Sequence, residues 1–314
     1  MTVGRQSDAA QRFAVIGTPI KHSLSAMLHG AVFRELDLPW KTSAVDPESP
    51  EGFAQLIEDI RSGEAGYRGA NVTIPYKKTV VPLCDELLTS AERCGAVNTI
   101  LRDDDGQLIG SNSDSEGFLQ ALISELRIDA TKLRSAVICG TGGVAHAVAG
   151  ALVGAGVPEL VVLSRTQHRA ERFITELREL QPLETVTDWQ GAAYQDAFNV
   201  MDREKVFGLC VNATPLGMVD DSTQQMPKGW LPWLKRHARS IFDVVYRRNE
   251  PTLLVQWARE NGIPSTDGLM MLVDQAIISL KLWGVPAEPD EMRAIMRKAL
   301  IEEGITRCAS KPTP

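Results

Sequence analysis

Ala136-Val137-Ile138-Cys139-Gly140-Thr141-Gly142-Gly143-Val144-Ala145 is the stretch whose reading decides the fold. Four residues of buried-strand character run into a G-x-G-x-x-G/A turn, and small residues continue as a helix to Ala155. Glycines let a backbone turn tightly there and approach a pyrophosphate, whose charge rests on the helix N-terminus. Alone the motif is weak. A strand before it and a helix after it make it a dinucleotide site rather than a bare glycine-rich turn. Gly140, Thr141, Gly142, Gly143 and Val144 are therefore candidate cofactor contacts.

The next strand, residues 159–163, decides which cofactor. NAD-binding chains usually end it with Asp or Glu, which holds the ribose hydroxyls. This chain continues Ser164-Arg165-Thr166-Gln167-His168-Arg169. A carboxylate would repel a 2′-phosphate, whereas Arg165 and Arg169 grip one with charge-assisted hydrogen bonds and Thr166 adds another. Two solvated arginines at a helix start are the bland alternative. Cations there oppose the helix dipole, so an anion between them explains the pair better. NADP is expected over NAD.

Further strands are expected at 209–212 and 241–246, alternating with helices as in parallel βαβ units. Upstream, residues 13–17 read as a buried strand closed by a glycine. The turn Thr18-Pro19-Ile20, with Ser23 and Ser25, leads into a helix over 26–36 that Ser25 is able to cap. Residues 70–73 form another short strand, and this first α/β unit ends near Asn112. A helix over 116–126 links it to the second. Residues 268–283 are helical and apolar on most sides, as in a helix buried against a neighbouring domain.

The chain has 314 residues, enough for two domains of ordinary size, with 44% hydrophobic and 23% charged residues. Its net charge of −7 argues against a nucleic-acid or anionic-membrane surface, either of which favours a basic face. The five cysteines, Cys84, Cys94, Cys139, Cys210 and Cys308, lack CxxC or CxxH spacing and read as small buried hydrophobes, with no metal site. The polar N-terminus carries no apolar leader, and the apolar run 144–157 is too short to span a bilayer. A reducing cytoplasm is the expected location.

One feature stands outside these bounds. Asn71-Val72-Thr73-Ile74-Pro75-Tyr76-Lys77, Gly95-Ala96-Val97-Asn98-Thr99 and Asn112-Ser113-Asp114 set amides, hydroxyls, a lysine and a carboxylate among strand-like apolar pieces. Buried polar groups cost free energy unless something pairs with them, and a small molecule bristling with hydroxyls pairs well. Lys77 beside Asp114 reads as a positioned proton donor and a local cation for a developing alkoxide. An isolated surface ion pair is the alternative.

At these residues the chain resembles the shikimate dehydrogenase family over nearly its whole length. The serine-rich first loop of the family appears as His22-Ser23-Leu24-Ser25-Ala26, and N-V-T-x-P-x-K as residues 71–77. G-A-V-N-T stands at 95–99, N-A-T-P-L-G-M at 212–218, the aspartate-to-tyrosine strand end at 243–246, and G-L-x-M-L-V-x-Q-A at 268–276. Departures are Ala26 for proline, Ser113 for threonine in N-T-D, His146 for an arginine after the glycine loop, and Ser164 for asparagine.

The resemblance implies a two-lobed α/β fold. Residues 1–113, completed by C-terminal helices 268–314, would form a substrate domain, and residues 114–267 a Rossmann-type, doubly wound parallel-sheet domain. It implies that Ser23, Ser25 and Tyr246 receive a substrate carboxylate with neutral donors. Asn71, Thr73, Lys77, Asn98, Asp114 and Gln275 would face ring hydroxyls, with Lys77 and Asp114 as the catalytic pair. Thr214, Val244 and Gly268 would lie along the nicotinamide, and Ser164, Arg165, Thr166 and Arg169 at the adenosine phosphate. The implied activity is NADP-dependent interconversion of 3-dehydroshikimate and shikimate by a monomer or homodimer. The alternatives are quinate/shikimate or aminoshikimate dehydrogenase and, more remotely, a silent nucleotide-binding sensor, which would be expected to have lost the lysine or the aspartate.

Overall fold

The computed structural model describes residues 9–20, 23–64, 66–180, 188–194, 204–217 and 229–305. His22, Met218 and Cys308 lie outside them. Packing divides the chain into two units, residues 1–117 with 272–314, and residues 118–271. The divisions fall inside two helices, α4 (Ser113–Leu126) and α9 (Leu269–Leu282).

The first unit holds a mixed six-stranded sheet in the order β2-β1-β3-β5-β6-β4. Next to one edge lies β1 (Arg12–Ile16), parallel to β2 (Lys41–Val45) and β3 (Tyr67–Val72). Beyond β3 run β5 (Thr99–Arg102) and β6 (Leu108–Ser111), both antiparallel to their predecessors in the sheet, with β4 (Glu86–Leu87) parallel at the edge. Helix α2 (Pro50–Ser62) lays Phe53, Ile57 and Ile60 on the sheet, an i, i+4, i+7 stripe. Its start is fixed by Ser49, whose hydroxyl accepts the Gly52 N–H at 3.0 Å. The short helix α3 (Thr89–Cys94) leads from β4 into the G-A-V-N-T segment.

The second unit is parallel throughout, in the order β9-β8-β7-β10-β11-β12. Its strands are β7 (Ser135–Cys139), β8 (Glu159–Ser164), β9 (Asp188–Ala193), β10 (Leu209–Asn212), β11 (Ile241–Asp243) and β12 (Ser265–Asp267). Counted from β7, this is the 3-2-1-4-5-6 order of the doubly wound dinucleotide fold. Every residue of β7 is buried, as strands covered on both faces require. Helix α5 (Gly143–Gly154) is buried from Ala145 to Val153, whereas α6 (Gln167–Leu180) buries only Ala170, Phe173, Ile174 and Leu177. Helix α7 (Trp230–His237) precedes β11 and buries Trp230, Trp233 and Leu234.

Two sequence expectations change. The strand expected over 241–246 ends at Asp243, because the Asp243 carboxylate accepts the Val245 N–H at 3.2 Å and turns the chain. Helix α1 (Ser25–Glu35) is not capped by Ser25; Leu24 occupies the cap without a side-chain bond. β2, β4, β5, β6, β9 and β12 had no expectation in the sequence.

Candidate active site

In the first unit the site grows from the end of β3. Asn71 pairs with Val15 on one side and Thr99 on the other, which puts its side chain in the middle of the sheet, 6% exposed. Its Nδ2 lies 3.0 Å from the Asn98 carbonyl, 3.0 Å from Thr99 Oγ1 and 2.9 Å from Ser279 Oγ. Its Oδ1 is buried and has no hydrogen-bond partner. An amide anchored through its nitrogen and orphaned at its oxygen is an acceptor awaiting a donor.

Asn98 is fixed just as tightly. Its Nδ2 donates to Ser113 Oγ at 3.0 Å, while its Oδ1 accepts the Ser113 N–H at 2.8 Å and the Thr99 hydroxyl at 2.9 Å. Ser113 Oγ donates to Gln275 Oε1 at 3.2 Å and lies 3.2 Å from Ser279 Oγ. Gln275 in turn donates to the Leu272 carbonyl at 2.9 Å. Ser113 is thus a junction that joins β5, α4 and α9.

Lys77 and Asp114 meet. Nζ lies 2.6 Å from Oδ2, with side-chain exposures of 11% and 8%. The Lys77 carbonyl accepts the Val97 N–H at 2.8 Å, which ties this turn to the G-A-V-N-T segment. Asp114 sits in the first turn of α4, where the helix dipole favours a carboxylate, and its N–H is taken by Asn112 Oδ1 at 3.0 Å. Thr73 follows β3 half-buried, its methyl packed where any side chain at Gly17 would lie within 2.4 Å. Ser23 Oγ accepts the Ser25 N–H at 3.3 Å, and Ser25 is buried.

In the second unit the glycine loop joins β7 to α5. Gly140 has φ +119°, and a Cβ there would lie 2.7 Å from the Ala213 carbonyl oxygen and 3.2 Å from Thr214 Cγ2. Only glycine permits that conformation and that approach. At Gly142 a Cβ would meet no atom within 4 Å, so the loop leaves an open cradle at the start of α5, where unbonded N–H groups suit phosphate oxygens. Val144 is half-buried in the first turn behind it.

Gly268 and Val244 are also side by side. A Cβ at Gly268 would sit 2.0 Å from the Val244 carbonyl oxygen. Ser164 is buried at the end of β8, and Arg165, Thr166 and Arg169 are exposed just beyond it. Thr141, Arg169 and Arg172 line one recess with Phe173 and Glu176. No acidic side chain ends β8, so the residues present fit a cofactor carrying a 2′-phosphate. Tyr246 is half-buried three residues beyond β11.

His146 stands where the family resemblance has an arginine after the glycine loop. It is 1% exposed and braces the loop from within: Nδ1 is 3.0 Å from the Gly142 carbonyl and Nε2 is 3.1 Å from Glu176. Residues the sequence reading missed are Thr99, Ser279 and Arg172. Ser279 lies four positions after Gln275 and Arg172 three after Arg169, so helical spacing alone would have found both.

A parallel sheet of this order with an open glycine loop defines a dinucleotide-binding α/β protein. Residues 15–100 match the family model for the shikimate dehydrogenase substrate binding domain. The chain is 37% identical over 291 residues to the shikimate dehydrogenase (NADP(+)) of Methanopyrus kandleri, covering 92% of this chain and 94% of the relative. The chain belongs to the shikimate dehydrogenase family. Among solved structures it is similar to a Thermus thermophilus shikimate 5-dehydrogenase in complex with NADP(H) and shikimate, with 32% identity, coverage of 92% and 99%, and TM-score 0.73. It is also similar to a Corynebacterium glutamicum quinate dehydrogenase in complex with NAD, with 29% identity, coverage of 92% and 100%, and TM-score 0.77.

Proposed function

We propose that this chain catalyses the reversible NADP-dependent interconversion of 3-dehydroshikimate and shikimate. The observation that carries the reading is the buried, unpartnered Asn71 Oδ1 in the same unit as the 2.6 Å Lys77–Asp114 pair. One group awaits a hydroxyl donor; the other is poised to move a proton at an oxygen. Bound NADPH would supply the hydride.

Lys77 then gives a proton from Nζ to the carbonyl oxygen as it becomes an alcohol, and recovers one from solvent after each turnover. Asp114 holds the ammonium in place and compensates its charge. Asn71, Thr73, Asn98 and Gln275 select the hydroxylated ring, and Ser23, Ser25 and Tyr246 receive its carboxylate. Gly140, Thr141, Gly142, Gly143 and Val144 cradle the pyrophosphate. Ser164, Arg165, Thr166 and Arg169 take the adenosine phosphate, and Thr214, Val244 and Gly268 the nicotinamide end. In this reading residues 1–113 with 268–314 form the substrate domain and 114–267 the cofactor domain. The enzyme works in the cytoplasm as a monomer or homodimer on small molecules, with no nucleic-acid or membrane partner. Among the described residues no helix is long and apolar enough to cross a membrane.

The similarity to a quinate dehydrogenase with NAD gives a second reading. Initial rates with shikimate, quinate and aminoshikimate, each with NADP+ and NAD+, separate the two. The highest kcat/KM is expected for shikimate with NADP+. A preference for quinate with NAD+ would replace the proposal, and no turnover of any pair would leave a nucleotide-binding protein.

A further inference from the structure

Four side chains in the second unit form one hydrogen-bonded chain to which no role has yet been given beyond Thr214. Thr252 Oγ1 donates to Asp243 Oδ2 at 2.6 Å. Asn212 Nδ2 donates to Asp243 Oδ1 at 2.8 Å, and the Val245 N–H donates to the same oxygen at 3.2 Å. Thr214 Oγ1 donates to Asn212 Oδ1 at 2.6 Å, reinforced by the Thr214 N–H at 3.1 Å. Asp243, Asn212 and Thr252 are each at most 1% exposed. The chain runs from the N-cap of α8 (Leu253–Glu260) across the end of β11 to the loop after β10.

Its directionality is set at one end. There Asp243 accepts from Thr252, Asn212 and the Val245 N–H, so the hydrogens along the chain point towards it. The Asn212 amide must turn its nitrogen to Asp243 and its oxygen to Thr214. The Thr214 hydroxyl must then spend its single hydrogen inward. One of its lone pairs takes the Leu216 N–H at 3.3 Å. The other remains available as an acceptor, on a residue whose methyl packs at Gly140 of the glycine loop.

We propose that Asp243 is a positioning residue for the nicotinamide half of the cofactor site. By locking Asn212 it makes Thr214 present an acceptor, the complement of a carboxamide N–H, and holds the 213–217 loop against the glycine loop. This rests on the reading of Thr214, Val244 and Gly268 as the nicotinamide end.

The test compares two ligands, NADPH and adenosine 2′,5′-bisphosphate, which has the phosphates of the adenosine half and no nicotinamide. Asp243→Leu is expected to weaken NADPH by about tenfold or more and to leave the bisphosphate within about twofold. Asp243→Asn, which still accepts from Asn212 and Val245, is expected to restore most of the NADPH affinity. Should Asp243→Leu fail to fold, Thr214→Val removes the presented hydroxyl, together with its bonds to Asn212 and the Leu216 N–H, and leaves the Asp243–Thr252 end of the chain in place. It is expected to weaken NADPH about fivefold, again without touching the bisphosphate. Equal losses for both ligands in Asp243→Leu, or no loss in either variant, would overturn the inference. If the wild-type protein binds neither ligand, the cofactor reading beneath it falls as well.

Discussion

At the candidate site of the first unit the polar groups are neutral side chains, nearly all buried: Asn71, Asn98, Thr99, Ser113, Gln275 and Ser279. In the second unit they are backbone N–H groups around Gly142 and the exposed cations Arg165 and Arg169. The difference follows from the ligands each unit would take. Hydroxyls must be told apart by position, which needs donors and acceptors locked in place by their own neighbours. Phosphates carry charge, which mobile guanidinium groups and a helix start attract without such rigidity. The Lys77–Asp114 pair is the exception in the first unit, and its charges cancel.

The sharpest way to break this comparison is to remove that exception. Lys77→Ala is expected to lower kcat by at least about two orders of magnitude, the usual scale for a lost acid–base group, with the NADPH dissociation constant unchanged. Retained turnover would take Lys77 out of the chemistry, and lost NADPH binding would show that the two units do not divide the work.

Next in size is the arginine pair. Replacing Arg165 and Arg169 by Ala is expected to weaken NADP by about 1.5–3 kcal/mol, the range of a hydrogen bond to a charged group. NAD, lacking the phosphate, should change little. Equal weakening of both would mean that the arginines only support the fold.

Two buried titratable groups sharpen the contrast further, one per unit. His29, packed edge-on against Trp283 with no partner for either ring nitrogen, is pushed by burial down to about 3. Asp243 is pushed by burial up to about 7 despite bonds from Thr252, Asn212 and the Val245 N–H, with Asp267 adding repulsion. Between about pH 6.5 and 3 the unfolded chain takes up a proton at His29 that the folded chain refuses, so that group erodes stability as pH falls. Between about pH 7 and 4 the folded chain binds a proton at Asp243 that the unfolded chain lacks, so that group adds stability as pH falls. Each slope reaches at most about 1.4 kcal/mol per pH unit. Denaturant unfolding from pH 4 to 7 reads both signs. Relative to wild type, His29→Leu should gain stability towards acid and Asp243→Asn towards neutrality; parallel curves would contradict the assignment.

How much the sequence disclosed also differs between the units. The glycine loop and β7 were legible because a continuous apolar run followed by G-x-G-x-x-G/A and a helix has one structural meaning, and β8 and β10 because each is a short, almost wholly apolar run of buried-strand character. The first unit's strands β5 and β6 were not, since four-residue antiparallel strands carry too few positions for a period to emerge. Side chains named by a motif came together where the motif specified them, as Lys77 with Asp114. Ser279 escaped because its role is to hold Asn71, not to stand in a recognisable string, and Thr99, though the last residue of G-A-V-N-T, was given no part because its hydroxyl serves the same support. His146 was noted only as a replacement for arginine, for a related reason: position after a glycine loop does not tell whether a ring faces outwards or, as here, inwards to Glu176.

The most direct test of the division of labour is the salt dependence of the two wild-type dissociation constants. Between about 0.05 and 0.5 M monovalent salt, NADPH binding through exposed cations is expected to weaken by roughly tenfold, because solvent-exposed charges are screened. Shikimate, held by neutral buried groups and a charge-balanced pair, is expected to change by less than about twofold. If shikimate weakens as steeply as NADPH, a cation holds its carboxylate, and the account of the first unit as a neutral reader of hydroxyls is wrong.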